Sequence, residues 1–385
     1  MNLVEVTTAK HKKDFILLPV SLYKNEPNWI RPLDKDIEAV FDAKQNKYFR
    51  HGECSRLLLY DENEKPIGRI AVFIDERTTK KEPQPTGGIG FFECINDKAA
   101  ANKMFDHCKQ WLQQKGMEAM DGPINFGERD SWWGLIVDGF HSPQYKMNYN
   151  PSYYRELFES YGFQKYYEQW CYSLRIADRV QEKFYRRHEE IKTNPDYHAE
   201  FLKKKFLSKY ADDFCTVYNK AWAKHGGGKE LERKQVQQFF KTMKPVMDGE
   251  AIWFAYCKDE PIGMWINLPD LNQYFKKFNG KLGFVEKLRL LWMLKRRETR
   301  KLIGLVFGIV PEHQGRGVDA LMIVEGQKHF VENNLYDDFE MQWIGDFNPR
   351  MVSIAENLGT KRSRVLNTYR YLFDRSKEFK RHPIL

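Results

Sequence analysis

What this chain lacks narrows its class before any motif is read. No uninterrupted apolar run reaches the roughly 18 residues of a membrane-spanning helix, and the mean hydropathy is −0.67, which argues against a membrane span. Cysteine is scarce: Cys54, Cys94, Cys108, Cys171, Cys215 and Cys257 form no C-x-x-C pair, and no zinc-ligand spacing occurs, so free thiols and no metal site are expected. The start MNLVEVTTAKHKK has no apolar signal-peptide segment, which points to the cytoplasm. Charge of one sign is also in short supply, since 62 Lys+Arg against 53 Asp+Glu leave only +9, with both signs interspersed. Such a balance favours phosphates, nucleic acid or acidic membranes without choosing among them.

What is present is core-forming material. Hydrophobic residues make up 42% of the 385 positions and aromatics 15%, too much for a mostly disordered chain, and the length suggests roughly two domains. The two have a common pattern. Lys65-Pro66-Ile67-Gly68 returns as Glu260-Pro261-Ile262-Gly263 at an offset of 195, and Asn150-Pro151 returns as Asn348-Pro349 at 198. The helix-like stretches after these pairs end at Gly162 and Gly359, and each half closes on an aromatic strand-like run, around Tyr172 and Tyr371. Each feature alone is ordinary turn chemistry; their shared order at nearly constant offset indicates an internal duplication.

Local patterning fills in both halves. Apolar residues at Ala101, Met104, Phe105, Cys108, Trp111 and Leu112 predict an amphipathic helix over 98–115. Hairpin and strand signals predict 56–60, 68–74 and 89–94 in the first half, and 251–257, 263–268, 303–310 and 339–344 in the second. Helices are expected over 211–224, 232–247 and 318–333, with Gly226-Gly227-Gly228 between the first two. The resulting fold class is α/β with a mixed sheet: one domain over 1–176, a charged linker over 177–199 that reads equally as a helix packed between the halves, and a second domain over 200–385.

The chemistry-bearing motif is Gly308-Ile309-Val310-Pro311-Glu312-His313-Gln314-Gly315-Arg316-Gly317-Val318-Asp319-Ala320, where a strand meets a Gly-rich turn and a helix. Unpaired N–H groups and the helix dipole there suit a pyrophosphate, and the glycines allow close approach. The spacing fits neither a Walker A loop nor a dinucleotide-binding turn.

This stretch resembles the acyl-CoA loop of the GCN5-related N-acetyltransferase superfamily, Arg/Gln-x-x-Gly-x-Gly/Ala, with Gln314 and Gly317 at its first and fourth positions. Asp319 departs from the pattern at the sixth, where a carboxylate would repel pyrophosphate unless turned away. Asn348, the following helix and the Tyr-rich strand resemble the superfamily's C-terminal section, so the resemblance implies two acyl-CoA N-acyltransferase-like domains in tandem. The first half reads Ile95-Asn96-Asp97-Lys98 at the loop position and is a degenerate copy.

The resemblance implies acetyl-CoA or another acyl-CoA as donor, held by Ile309, Val310, Gln314, Gly315, Arg316, Gly317, Val318, Asp319, Ala320 and Asn348. The Tyr that often serves as acid in the superfamily is absent, because Ala355 and Phe158 stand four residues before Gly359 and Gly162. Catalytic candidates are Glu312 and His313 at the strand end, and Tyr369 and Tyr371 on the last strand, with Glu340 a weaker base candidate. Each has a plain alternative: loop polarity for the first pair, core packing for the tyrosines, a salt bridge for Glu340, and helix capping for Asn348. The aromatic-rich stretch 132–154 either lines a substrate pocket or covers the core.

Residues 272–301 have no counterpart of equal length in the first half and combine Lys and Arg with Phe284, Leu288 and Trp292. They form either a core-packed helix with a solvated face or a surface for peripheral membrane contact. Three functions follow: an acyl-CoA-dependent N-acyltransferase acting on an amine of a small molecule or peptide, a non-catalytic ligand-sensing or interaction protein of the same fold, or a basic membrane- or RNA-associated protein.

Overall fold

The computed structural model describes residues 1–79, 83–223 and 230–385. The triple glycine at 226–228 and Lys224 lie outside the described residues. The first half runs β1 (Asn2–Glu5), α1 (Ala9–Leu22), α2 (Asp34–Val40), β2 (Gly52–Tyr60), β3 (Pro66–Asp75), α3 (Glu76–Thr79), β4 (Thr86–Cys94), α4 (Lys98–Gln114), β5 (Ala119–Gly122), β6 (Leu135–Asp138), α5 (Tyr154–Tyr161) and β7 (Gln164–Arg175). After α6 (Glu182–Lys192), the second runs β8 (Tyr197–Phe201), α7 (Leu207–Tyr218), α8 (Arg233–Met243), β9 (Ile252–Cys257), β10 (Glu260–Pro269), α9 (Leu271–Phe275) and α10 (Phe284–Lys295). It finishes with β11 (Lys301–Ile309), α11 (Val318–Glu332), β12 (Asp338–Met341), β13 (Ile344–Gly345), α12 (Pro349–Asn357) and β14 (Lys361–Leu372).

The patterned segments form as expected for local reasons. Helix α4 buries Ala101, Met104, Phe105, Cys108 and Leu112 on one stripe. It ends before Gly116, whose φ of +76° suits a residue without Cβ. The β2–β3 hairpin turns at Asp61, whose carboxylate accepts the N–H groups of Asn63 and Lys65.

Pairing of the strands departs from two separate domains. The described strands form one sheet in the order β1-β2-β3-β4-β5-β14-β7-β12-β11-β10-β9-β8, with β6 on β14 and β13 on β7. The last strand of each half has therefore crossed over: β14 completes the first half's sheet beside β5, and β7 completes the second half's beside β12. The two exchanged strands pair with each other in a long antiparallel ladder from Lys361↔Ser173 to Arg370↔Gln164. A bidentate Arg370–Asp121 pair at 2.7 and 2.8 Å fastens β14 to β5.

The expected division at residue 176 thus separates chain segments, not sheets. Nor is 177–199 simply a linker. It contains α6, which packs on α11, and the start of β8, the edge strand of the second half.

Candidate functional site

The second half opens where two parallel strands part. β11 and β12 pair only over Lys301–Gly304 and Asp338–Met341, and beyond that no ladder pair joins them. The gap widens into a cavity of about 440 Å³ bounded by Gly304–Phe307 of β11, 341–345 across the gap, α11 and α12. Its lining is mostly apolar, including Trp265, Ile323, Phe330, Phe339 and Ile354. Ala355, which stands where the superfamily often has its acidic Tyr, also lines it, so side-chain volume is missing there.

At the mouth stands the N-terminus of α11. Its cap is Gly317, at φ +92°, with no side-chain hydrogen bond on the first N–H groups, so they remain available to an anion. A Cβ at Gly317 would sit 3.1 Å from the Arg187 carbonyl oxygen, whereas Gly315, at φ +76°, faces open space. Asp319 is neutralised where it stands: Arg187 of α6 donates to both its oxygens at 2.8 and 2.7 Å. The helix in the charged stretch between the halves thus balances the charge of Asp319, the loop's departure from the superfamily pattern.

The first half keeps the parted strands, since β4 and β5 pair only over Thr86–Gly88 and Ala119–Asp121, but lacks the open helix terminus and the large cavity. Asp97 caps α4 with its own carboxylate, accepting the Ala100 N–H at 2.9 Å, so a negative charge already occupies the anion position. The neighbouring cavity is only about 50 Å³. Beside it lies a buried knot in which Tyr23 and Tyr154 donate to Glu93 at 2.6 and 2.9 Å and Arg69 pairs with the same carboxylate at 3.3 Å.

Glu340 projects to the opposite face of β12 from Phe339 and Met341, which line the large cavity. It is fully buried and salt-bridged: Lys301 Nζ lies 2.5 Å from one oxygen, while His141 Nε2 at 3.2 Å and Ser363 Oγ at 3.1 Å meet the other. Burial alone would raise its pKa, but hydrogen bonds from His141 and Lys301 and the charges of Lys301 and Arg364 hold it well below the ordinary glutamate range. Glu340 is accordingly a fixed anion and no proton acceptor at neutral pH. His141 remains 40% exposed at its side chain. Its loop is pinned by Arg364, which donates to the carbonyls of His141 and Ser142 at 3.0 and 2.9 Å, and by Gln144, which donates to the Met341 carbonyl at 3.1 Å.

The residues singled out from sequence are only partly gathered here. Asp319 and Asn348 line the cavity, and Asn348 also caps α12 by accepting the Met351 N–H at 3.2 Å, so capping and lining coexist. Gln314 spans from the Ile309 carbonyl to Arg350 of α12, tying loop to helix. Val310, Val318 and Ala320 are buried supports, and Arg316 is exposed. Glu312 is exposed on a short turn. His313 lies against Tyr197, 3.2 Å from its hydroxyl, and burial together with the Arg316 charge lowers its pKa. Neither lines the cavity.

Tyr369 and Tyr371 require a correction. Strand exchange carries them into the first half's core, where Tyr369 donates to Glu159 at 3.0 Å and Tyr371 packs on Tyr161. They do not stand beside the 314–320 loop. Sequence reasoning gave no chemical role to His141, Lys301 or Arg187: His141 entered only within the aromatic-rich stretch 132–154 and Lys301 only among the cations of 272–301.

Among the described residues, no group of three or more His, Cys, Asp or Glu side chains is placed to hold a metal ion. No family model matches the sequence. The chain is 27% identical over 382 residues to a protein of Caulobacter vibrioides (strain NA1000 / CB15N) named bacterial ceramide synthase, covering 96% of this chain and 97% of the relative. It is 22% identical over 364 residues to Protein YghO of Escherichia coli (strain K12), covering 92% of each. Among solved structures, a tandem GNAT protein from the clavulanic acid biosynthesis pathway superposes with a TM-score of 0.53 at 9% identity, covering 96% of this chain and 98% of that one. The GCN5-related glucosamine N-acetyltransferase region of a fungal multi-domain GH3 β-N-acetylglucosaminidase gives 0.53 at 10%, with 96% of this chain matched to 38% of that longer one. With its split strands, uncapped loop helix and duplicated halves, this chain has the fold of two GCN5-related N-acetyltransferase domains in tandem, the first a degenerate copy.

Proposed function

We propose that the protein transfers a long acyl group from acyl-CoA to the amine of a long-chain amino alcohol. The observation that carries this reading is the apolar cavity of about 440 Å³ opening beside the free N-terminus of α11. The pantetheine arm enters between β11 and β12 in this reading, and the apolar space beyond it suits a fatty chain, which gains about 0.8 kcal/mol per buried CH₂. The Caulobacter relative's name supports the acceptor class, because a ceramide is the amide of a long-chain amino alcohol.

In this reading the α11 N–H groups and Gly315–Gly317 hold the pyrophosphate, with Arg187 balancing the charge of Asp319. His141 is the base. Its Nε2 faces the Glu340 carboxylate at 3.2 Å, which leaves Nδ1 as the nitrogen turned to the amine. Nδ1 takes one proton from the ammonium, and the free amine attacks the thioester carbonyl carbon. The C–N bond forms, the C–S bond breaks, and the second amine proton goes to the departing thiolate, yielding amide and thiol.

The test is mass spectrometry of reactions pairing acetyl-, octanoyl- and palmitoyl-CoA with a sphingoid base or short amines. Long-chain amide with equal thiol release is expected. Absence of amide from every pair, with folded protein, overturns the proposal; CoA binding without transfer would instead favour a ligand-sensing protein.

A further inference from the structure

Helix α10 is apolar on two opposite faces, and only one of them is used. Leu290 and Met293 turn inward to a cluster containing Leu33, Leu271, Tyr274, Phe275 and Phe278. This root is firm and bridges both halves: the Gly280 carbonyl accepts the Asp34 N–H at 2.9 Å, and Asn272 donates to the Pro143 carbonyl at 2.8 Å. The outward face presents Phe284, Val285, Leu288, Leu291 and Trp292, with Phe284 and Val285 76% and 70% exposed. At about 100° per residue these five fall within an arc of roughly 120°. Large side chains so placed have no reason to remain in water on a rigidly anchored helix.

Charge identifies what covers them. On the same helical wheel the exposed Lys287 flanks one side of the apolar arc, Arg289 and Arg296 flank the other, and Lys295 sits at its C-terminal end. The helix's one carboxylate, Glu286, turns back to accept the Gly283 N–H at 2.8 Å. Arg297, just past the helix, is taken up by Asp248 and Glu250, while Lys204, Lys205, Lys241 and Lys244 border a basic basin beside the exposed Phe206. A second protein surface would have to bury these cations against matching carboxylates, whereas a lipid interface takes the apolar arc into its acyl boundary and leaves the cations among phosphates. Among the described residues no helix is long and apolar enough to cross a membrane, so the contact is with one face of the bilayer.

We propose that α10 docks this protein on an anionic bilayer surface, lying in the headgroup plane with Phe284, Leu288, Leu291 and Trp292 inserted. The insertion leaves the sheet at the end of β10 and returns at the start of β11. The inference does not depend on acyl transfer, and its test reads none.

Flotation of the full chain with phosphatidylcholine vesicles, with and without about 30% phosphatidylglycerol, measures the contact. At least about tenfold stronger partitioning to the anionic vesicles is expected, weakening with salt. Two variants on exposed positions separate the two forces: F284S/L288S/L291S loses binding to both vesicle types, and K287A/R289A/K295A loses only the anionic preference. Thermal melting and light scattering accompany each variant. The proposal is overturned if the wild-type chain stays unbound, if the serine variant binds as well as wild type with an unchanged melting temperature, or if wild type is a dimer that this variant makes monomeric without any vesicle binding.

Discussion

At the residue scale, the site depends on which charges are neutralised and by what. Glu340 is almost fully buried and held ionised by Lys301 and His141. Replacing it by Gln strands Lys301 and should destabilise the protein by about 3 kcal/mol. A folded pKa below the unfolded one contributes stability that is complete above the ordinary glutamate range and is lost as pH falls through that range toward the depressed value. Urea denaturation should therefore show a constant gap between wild type and E340Q from neutral pH down to the upper edge of that range, closing in stronger acid. Arg187 has the complementary role. R187A should uncover Asp319 at the α11 terminus and weaken acyl-CoA binding roughly tenfold, by calorimetry, and adding D319A should restore most of it. The loop motif was legible in sequence, and so was the problem posed by Asp319; its partner, 132 positions earlier, was not.

At the element scale, the decisive feature is a strand pair that stops pairing. Gly317 and Gly315 have nearly the same positive φ, but only Gly317 packs against α6. Both alanine variants meet left-handed backbone strain of about 1–2 kcal/mol, and G317A should lose more because its Cβ crowds the Arg187 carbonyl. Thermal melts of the pair should rank that way, with the larger loss of CoA binding also in G317A. On α12, A355F would project into the cavity and should shift acyl preference toward shorter chains by about tenfold or more, read by competition between octanoyl- and palmitoyl-CoA. Helix α4, strand β10 and the α11 turn were foreseeable because their periodicity and punctuation are local. The short strands β6 and β13 were not, since four and two residues give too little pattern.

At the scale of the whole molecule, the halves cannot be taken apart where the sequence divides them. β14 lies between β5 and β7, so residues 1–176 alone lack the strand that carries Tyr369 and Tyr371 into their core. That fragment should be unfolded or aggregated by circular dichroism and gel filtration. Co-expression with 177–385 should yield a soluble complex with native-like melting, because the exchanged ladder can re-form between chains.

The sequence by itself determined the mixed α/β class, the amphipathic helices and a Gly-rich turn before α11, because each is written within one or two turns of chain, and landmarks repeated at offsets of 195 and 198 marked the two halves. Tertiary structure alone decided which strand joins which sheet, that Arg187 neutralises Asp319, and that His141 meets Glu340 across 199 positions. The physical reason is that a strand such as β14, with Arg362, Arg364 and Arg370 among its apolar residues, does not specify by its own pattern which sheet it joins. Its choice follows from contacts such as Arg370–Asp121 that exist only once distant segments have met.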